Sequence, residues 1–321
     1  LKELARKAIG YYPLDIVDIS LLCYHNNATF RLKDRKGEQY VLRVNRPMFH
    51  GASEILSETH WSTALSRDTD LQTPQAILSN TGSPVVSVEV EGVPQQRDTV
   101  IFRWIPGRFT NRLTPAYVHR AGKALATMHV HGKQWRPPDG FTRKTWSSDL
   151  LWKGEPATDK MGIRQILSPA DLRIHTEVGD LCQQAFRALG NTNEAYGLIH
   201  ADFHCGNFMS IKGGFAAIDF DDCGYGHFIY DLSVLLGSLL NRPTYPALRE
   251  ALLSGYRSLH PFPEEHERFF ARMIALRWIF LSVWRAGVYE PRELHADAEA
   301  FARSRIEAIL ARSLHKEQTR V

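Results

Sequence analysis

The segment Leu198-Ile-His-Ala-Asp-Phe-His-Cys-Gly-Asn-Phe-Met209 concentrates residues able to do chemistry. His200, Asp202 and Asn207 stand in an H-x-D-x-x-x-x-N arrangement, and Asp219 ends the next apolar run, Phe215 to Ile218. Two short apolar strands, Gly197 to Ile199 and Phe215 to Ile218, would bracket a polar loop and end in a carboxylate. Phosphoryl transfer asks little of a protein: a carboxylate to orient the attacking hydroxyl and accept its proton, oxygen ligands for a divalent metal, and cations for nucleotide phosphates. Asp202, Asn207 and Asp219 meet the first two needs, because an amide oxygen and a carboxylate are the hard ligands that Mg2+ prefers.

Elements to position these groups are legible on either side. Ala28 to Lys33 and Gln39 to Asn45 read as strands around the turn Asp34-Arg-Lys-Gly37. Ser53 to Leu65 reads as a helix, and Gln75 to Ser79, Val85 to Val90 and Thr99 to Ile105 as further strands, the last stopped by Pro106-Gly107. Beyond it the period turns helical. Thr114-Pro115 is an N-cap with proline at the first helical position, followed by Val118, Ala121, Leu125 and Met128. Ser168-Pro-Ala-Asp171 opens another helix, running to Gly190, and more helices fill the chain from Ile229 onward. The expected division is a β-rich domain over 1–105 and a helical domain over 106–321.

The run His200-Ala-Asp202-Phe-His204-Cys-Gly206-Asn207, with Ile218-Asp219-Phe and Tyr230-Asp231-Leu232, resembles the aminoglycoside phosphotransferase and choline kinase superfamily, including homoserine-kinase-like and bacterial stress-response-kinase-like members. The resemblance extends over roughly residues 25–240. Tyr40-Val-Leu-Arg43-Val is similar to the phosphate-anchoring strand, and Ser57-Glu58 to the helix glutamate that pairs with the anchor. Val100-Ile-Phe-Arg103-Trp104-Ile105-Pro-Gly107 is similar to the hinge that meets adenine. The resemblance implies an α+β, bilobal, protein-kinase-like fold with a small antiparallel-sheet lobe and a larger helical lobe. It further implies ATP and Mg2+ as cofactors, Asp202 as catalytic base, Asn207 and Asp219 as metal ligands, and Arg43, Glu58, Arg103, Trp104 and Ile105 as nucleotide-binding residues. His200 would brace the loop, and Asp231 would tie the following helix to it.

This sequence departs from protein kinases in several places. Arg43 stands where many kinases carry lysine, and Asn26-Asn27-Ala28-Thr29 where they carry a Gly-rich loop. Ala201 replaces the arginine of His-Arg-Asp, and residues 220–230 leave no room for a phosphorylatable activation loop. A small-molecule hydroxyl is therefore the expected acceptor: an amino alcohol, hydroxy amino acid, sugar or aminoglycoside. A Ser/Thr of another protein is the alternative, and a silent nucleotide-binding regulator a third reading. Asp221 and Asp222 read as caps of a turn before Gly224, and His204 as a loop-bracing histidine. Trp135, Trp146 and Trp152 read as packing residues. Arg268, Arg272, Arg277 and Arg285 read as solvated faces, one or two of which could meet an acceptor carboxylate. Glu264, Glu265, Glu267, Glu290 and Glu293 lie among them.

Composition narrows the classes further. A hydrophobic share of 44% with 23% charged residues fits a globular chain and excludes a disordered one. The net charge of +4 is mild and dispersed, so nucleic acid is not an expected partner. No apolar stretch is long enough to span a membrane; Phe228 to Leu240 comes nearest and carries Asp231. Cys23, Cys182, Cys205 and Cys223 have no metal-binding spacing and read as reduced thiols of a cytoplasmic protein.

Overall fold

Strand β3 (Gln39–Val44) lies at the middle of a five-stranded antiparallel sheet, and its alternation decides where the anchor side chain goes. The computed structural model describes residues 1–24, 27–47, 49–93, 95–147 and 169–288. Asn26, Trp152, Ser168, Glu290 and Glu293 lie outside them. The sheet runs in the order β1 (Ile16–Tyr24), β2 (Ala28–Asp34), β3, β6 (Arg97–Arg103), β5 (Val85–Val88). Successive side chains of a strand point to opposite faces. Tyr40, Leu42 and Val44 accordingly join Phe30, Leu32, Val86 and Ile101 in one core, which the helix α1 (Lys2–Ile9) closes with Leu4, Ala5 and Ala8. Val41 and Arg43 face the other way, toward Val100, Phe102 and Ile55 of α2 (Ala52–Asp68).

The chain forms two compact units. The first comprises Leu1–Asn111, Trp135–Arg143 and Asn207–Asp221, and the second Arg112–Gln134, Lys144–Gly206 and Asp222–Val321. Besides the large sheet, the first unit holds a three-stranded sheet in the order β4 (Leu71–Gln72), β9 (Gly214–Ala217), β8 (Phe208–Ile211). The second unit pairs β7 (Tyr196–Ile199) with β10 (Gly224–His227). Its helices are α3 (Pro115–Gln134), α4 (Pro169–Leu189), α5 (Phe228–Leu239), α6 (Tyr245–Arg257) and α7 (Phe270–Val288).

The α+β architecture matches expectation, and several local readings change. Gln75–Ser79 is not a strand; it retains one bridge, from Ala76 to Phe102. Strand β1 has no legible alternation because it is an edge strand with two register irregularities, which leave Val17, Leu21 and Leu22 exposed. Strand β8 is only four residues long and abuts the polar loop, so period-two patterning had too little length to register.

Helices α3 and α6 cross at two glycines. A Cβ at Gly122 would strike the Leu252 carbonyl, and one at Gly255 the His119 carbonyl, so neither position has room for a methyl group. Because backbone cannot yield as a side-chain tip can, Gly122→Ala and Gly255→Ala should each destabilise the protein by on the order of 2 kcal/mol. Thermal unfolding followed by circular dichroism checks this, and native melting temperatures in both variants would contradict so close a crossing.

Candidate active site

In the first unit a buried ion pair is assembled across two elements. Arg43 projects from β3 onto Glu58 of α2 in a two-pronged pair, Nη1 to Oε1 at 2.8 Å and Nη2 to Oε2 at 2.5 Å. Both side chains are buried. Burial works against the guanidinium's charge, but Glu58 and then Asp221 outweigh it and hold Arg43 protonated. Asp221 Oδ1 stands 3.6 Å from Arg43 Nη1, and Asp221 Oδ2 accepts a hydrogen bond from the Asn27 amide at 2.9 Å. Asn27 in turn accepts from the Arg46 N–H at 2.9 Å, which ties the β1–β2 turn to the end of β3. Arg143 donates to the Glu54 carbonyl at 3.0 Å and to the Asp221 carbonyl. Asp221 is thus a partner of Arg43, a role its sequence neighbours gave no sign of.

Asn207 and Asp219 are brought together by a hairpin. Phe208 pairs with Ala217 in the β8–β9 register, so Asn207 and Ile218 are the next opposed pair, and the Ile218 N–H donates to the Asn207 carbonyl at 2.9 Å. Asp219 follows immediately, in a left-handed conformation with φ of 64°. An aspartate tolerates that region better than most residues, and such strain concentrates where a side chain must be aimed. Asp219 adds to the negative field that keeps Arg43 charged. Arg103 ends β6 opposite Tyr40, three residues beyond the pairing of Val100 with Arg43, and Trp104 and Ile105 follow it. The N–H groups of Arg103 and Trp104 donate to the carbonyls of Gln75 (2.9 Å) and Gln39 (3.2 Å).

Asp202 belongs to the second unit, in the loop after β7. Asp231 on α5 organises that loop: its carboxylate accepts the N–H of His200 at 2.8 Å and that of Ala201 at 2.6 Å. Ala201 consequently adopts φ of 66°. His129 of α3 completes the cluster, Nε2 lying 3.0 Å from Asp231 and Nδ1 2.8 Å from the Tyr256 hydroxyl. Burial raises the Tyr256 phenol far above its ordinary value, so it stays a donor. His200 braces the loop through Nδ1, which accepts the Asp202 N–H at 3.3 Å. His204 accepts the Gly206 N–H at 2.9 Å.

Burial pushes the Asp202 carboxyl up to about 6, while Arg277 pulls against that rise. Arg277 is buried and donates to Asp202, so the reading of this arginine as a solvated face does not hold. Helical periodicity had left it among several arginines with nothing to single it out. Asp222 likewise has a partner, Lys144 at 2.9 Å, and Lys144 lies 4.4 Å from the centre of the Trp146 ring. Trp146 is fully buried, as a packing residue should be.

The chemistry of the donors suits a hard divalent cation. Asn207 and Asp219 offer an amide oxygen and a carboxylate, and Mg2+ characteristically takes one or two such protein ligands together with phosphate oxygens and water. Among the described residues no group of three or more His, Cys, Asp or Glu could hold a metal by itself. No described helix is long and apolar enough to cross a membrane, and all four cysteines are free thiols.

A half-buried carboxylate on a braced loop, a buried Arg–Glu pair and a hairpin-borne Asn/Asp pair are groups that phosphoryl transfer can use, and comparison with known proteins defines the class. The model of the phosphotransferase enzyme family matches residues 25–270, and the chain belongs to that family. Amicoumacin kinase of Bacillus subtilis (strain 168) is 23% identical over 253 residues, which cover 76% of this chain and 70% of that kinase. Among solved structures, the microcompartment-associated aminopropanol kinase aligns with a TM-score of 0.83 at 27% identity, covering 98% of both chains. The amicoumacin kinase hAmiN, in complex with AMP-PNP, Ca2+ and Ami, gives 0.81 at 24% identity, covering 96% of this chain and 92% of that one. The protein is an ATP-dependent kinase with the protein-kinase-like fold that the motif resemblance implied.

Removing the Asp231 carboxylate would strand two backbone N–H groups that have no access to water. Asp231→Ala should therefore lower stability by on the order of 3 kcal/mol. Chemical denaturation measures this, and a loss below about 1 kcal/mol would show that the loop does not depend on the carboxylate.

Proposed function

We propose that the protein transfers the γ-phosphoryl group of ATP to a hydroxyl of a small molecule, with Asp202 as base. The observation that carries this reading is Asp202 itself: a half-buried carboxylate on a loop that Asp231 and His129 hold in place, raised toward the pH at which a base works best. Asp202 orients the acceptor hydroxyl and takes its proton. The acceptor oxygen bonds to the γ-phosphorus as the bond to the departing ADP oxygen breaks. Arg43, held by Glu58 and Asp221, meets the nucleotide phosphates, and an arginine there binds phosphate through two parallel N–H groups where lysine would act as a point charge. Arg103, Trp104 and Ile105 form the adenine-side segment.

Asn207 and Asp219 would hold Mg2+, which supplies charge neutralisation of the phosphates when bound. The similar proteins support a small acceptor: one is named for aminopropanol, an amino alcohol, and another for amicoumacin. Short amino alcohols are accordingly the first acceptors to try.

ATP consumption with Mg2+ is measured against amino alcohols, hydroxy amino acids, sugars, aminoglycosides and a generic protein. At least one small-molecule class should raise turnover above background, and Asp202→Ala should lower kcat by about a hundredfold or more. Native kcat in that variant would sink the base assignment, and label transferred only to protein would sink the small-molecule reading. Chelation with EDTA should abolish turnover, with full recovery on adding Mg2+. Asp219→Ala should not recover even in excess Mg2+, and its recovery would place the metal elsewhere.

A further inference from the structure

Arg277 lies on α7, beyond the family-matched residues 25–270, and it reaches back to the base. Its Nη2 donates to Asp202 Oδ1, and its Nη1 lies 3.5 Å from the Tyr230 hydroxyl. The guanidinium carbon also sits 5.6 Å from the centre of the Phe280 ring. Tyr230 is fully buried and stacked on Trp146, with ring centres 5.7 Å apart. An arginine so enclosed has little freedom to swing away. The second oxygen of Asp202, Oδ2, faces His204 Nε2 at 3.6 Å. Burial first, and then Arg277, lower the His204 imidazole to about 4, so near neutral pH it puts no competing cation beside Oδ2.

We propose that Arg277 is a positioning residue for phosphoryl transfer: it fastens Oδ1 of Asp202 and thereby assigns Oδ2 to the acceptor hydroxyl. This rests on the reading of Asp202 as the base. The terminal torsion of an aspartate is broad and two-fold, so an untethered carboxylate could turn either oxygen to the acceptor. A charged N–H on one oxygen removes that freedom.

The groups facing Asp202 are Arg277 from α7, Asp222 from the turn after β9, and His200 and His204 from its own loop, with Tyr230 of α5 behind the guanidinium. Burial and Asp222 raise the carboxyl, whereas Arg277 and His200 lower it. Taking away the arginine's charge therefore disfavours the ionised form. The acidic limb of the rate profile should then move to higher pH.

Arg277→Gln and Arg277→Lys are compared with the native protein and with Asp202→Asn. Carbon-13 NMR of protein labelled at the aspartate γ-carboxyl follows the titration of Asp202, whose signal is identified by its loss in Asp202→Asn. Rates are taken from about pH 5 to pH 9 with the amino alcohol or other acceptor that the panel reveals. In Arg277→Gln the Asp202 titration should rise by about one unit. At neutral pH kcat should fall about tenfold and partly recover at higher pH, while KM for acceptor and for ATP stays within about twofold. Arg277→Lys keeps the charge but loses the planar fork, and should fall between the two; it also serves if the neutral variant does not fold. An unmoved Asp202 titration, a raised KM at constant kcat, or a loss of kcat equal at every pH would each overturn the proposal alone. Native kcat in Asp202→Asn would overturn the base reading and the proposal with it.

Discussion

A single carboxylate out of reach of water holds the loop of Asp202 in shape. Asp231 accepts the N–H groups of His200 and Ala201 and faces His129, which is itself engaged by Tyr256. A buried polar group is tolerated only when its hydrogen-bonding capacity is nearly filled. Here the filling comes from the loop backbone and from α3, so the need to satisfy one carboxyl group on α5 draws three separate elements into register. The left-handed Ala201 is the cost of that arrangement, held in place because the carboxylate captures both neighbouring amides.

Within each unit the other carboxylates follow the same rule of local compensation. In the first unit, Glu58 and Asp221 share the guanidinium of Arg43. In the second, Asp222 pairs with Lys144 and Asp202 with Arg277. Such pairing fixes the orientation of these groups before any ligand arrives. Preorganisation of this kind is where much of an enzyme's electrostatic effect originates, because little reorganisation is left for the moment of reaction.

The sequence disclosed this arrangement unevenly. The polar loop of Asp202 and the hairpin carrying Asn207 and Asp219 were legible as elements because a loop between two apolar strands is a local pattern, and the α+β class followed from strands predominating before Pro106-Gly107 and helices after it. The Arg43–Glu58 pair was found through the motif, and strand alternation explains why Arg43 escapes the core that Leu42 enters. Asp221 and Arg277 were misjudged for one shared reason. Each acquires its partner from a residue far along the chain, Arg43 and Asp202 respectively, and neither hydrophobic periodicity nor turn chemistry reports on such distant pairs. Strands β1, β4, β8 and β10 were missed because a bulged edge and stretches of two to four residues carry too little alternation.

The route of the chain carries a consequence for its ancestry. It leaves the second unit after Gly206, lays down the hairpin bearing Asn207 and Asp219 in the first, and returns after Asp221. Residues 135–143 make a similar excursion. No single point of division in the gene therefore separates one unit from the other. Recombination at one crossover could not exchange the two units as modules, whereas substitution within the interleaved chain can alter either.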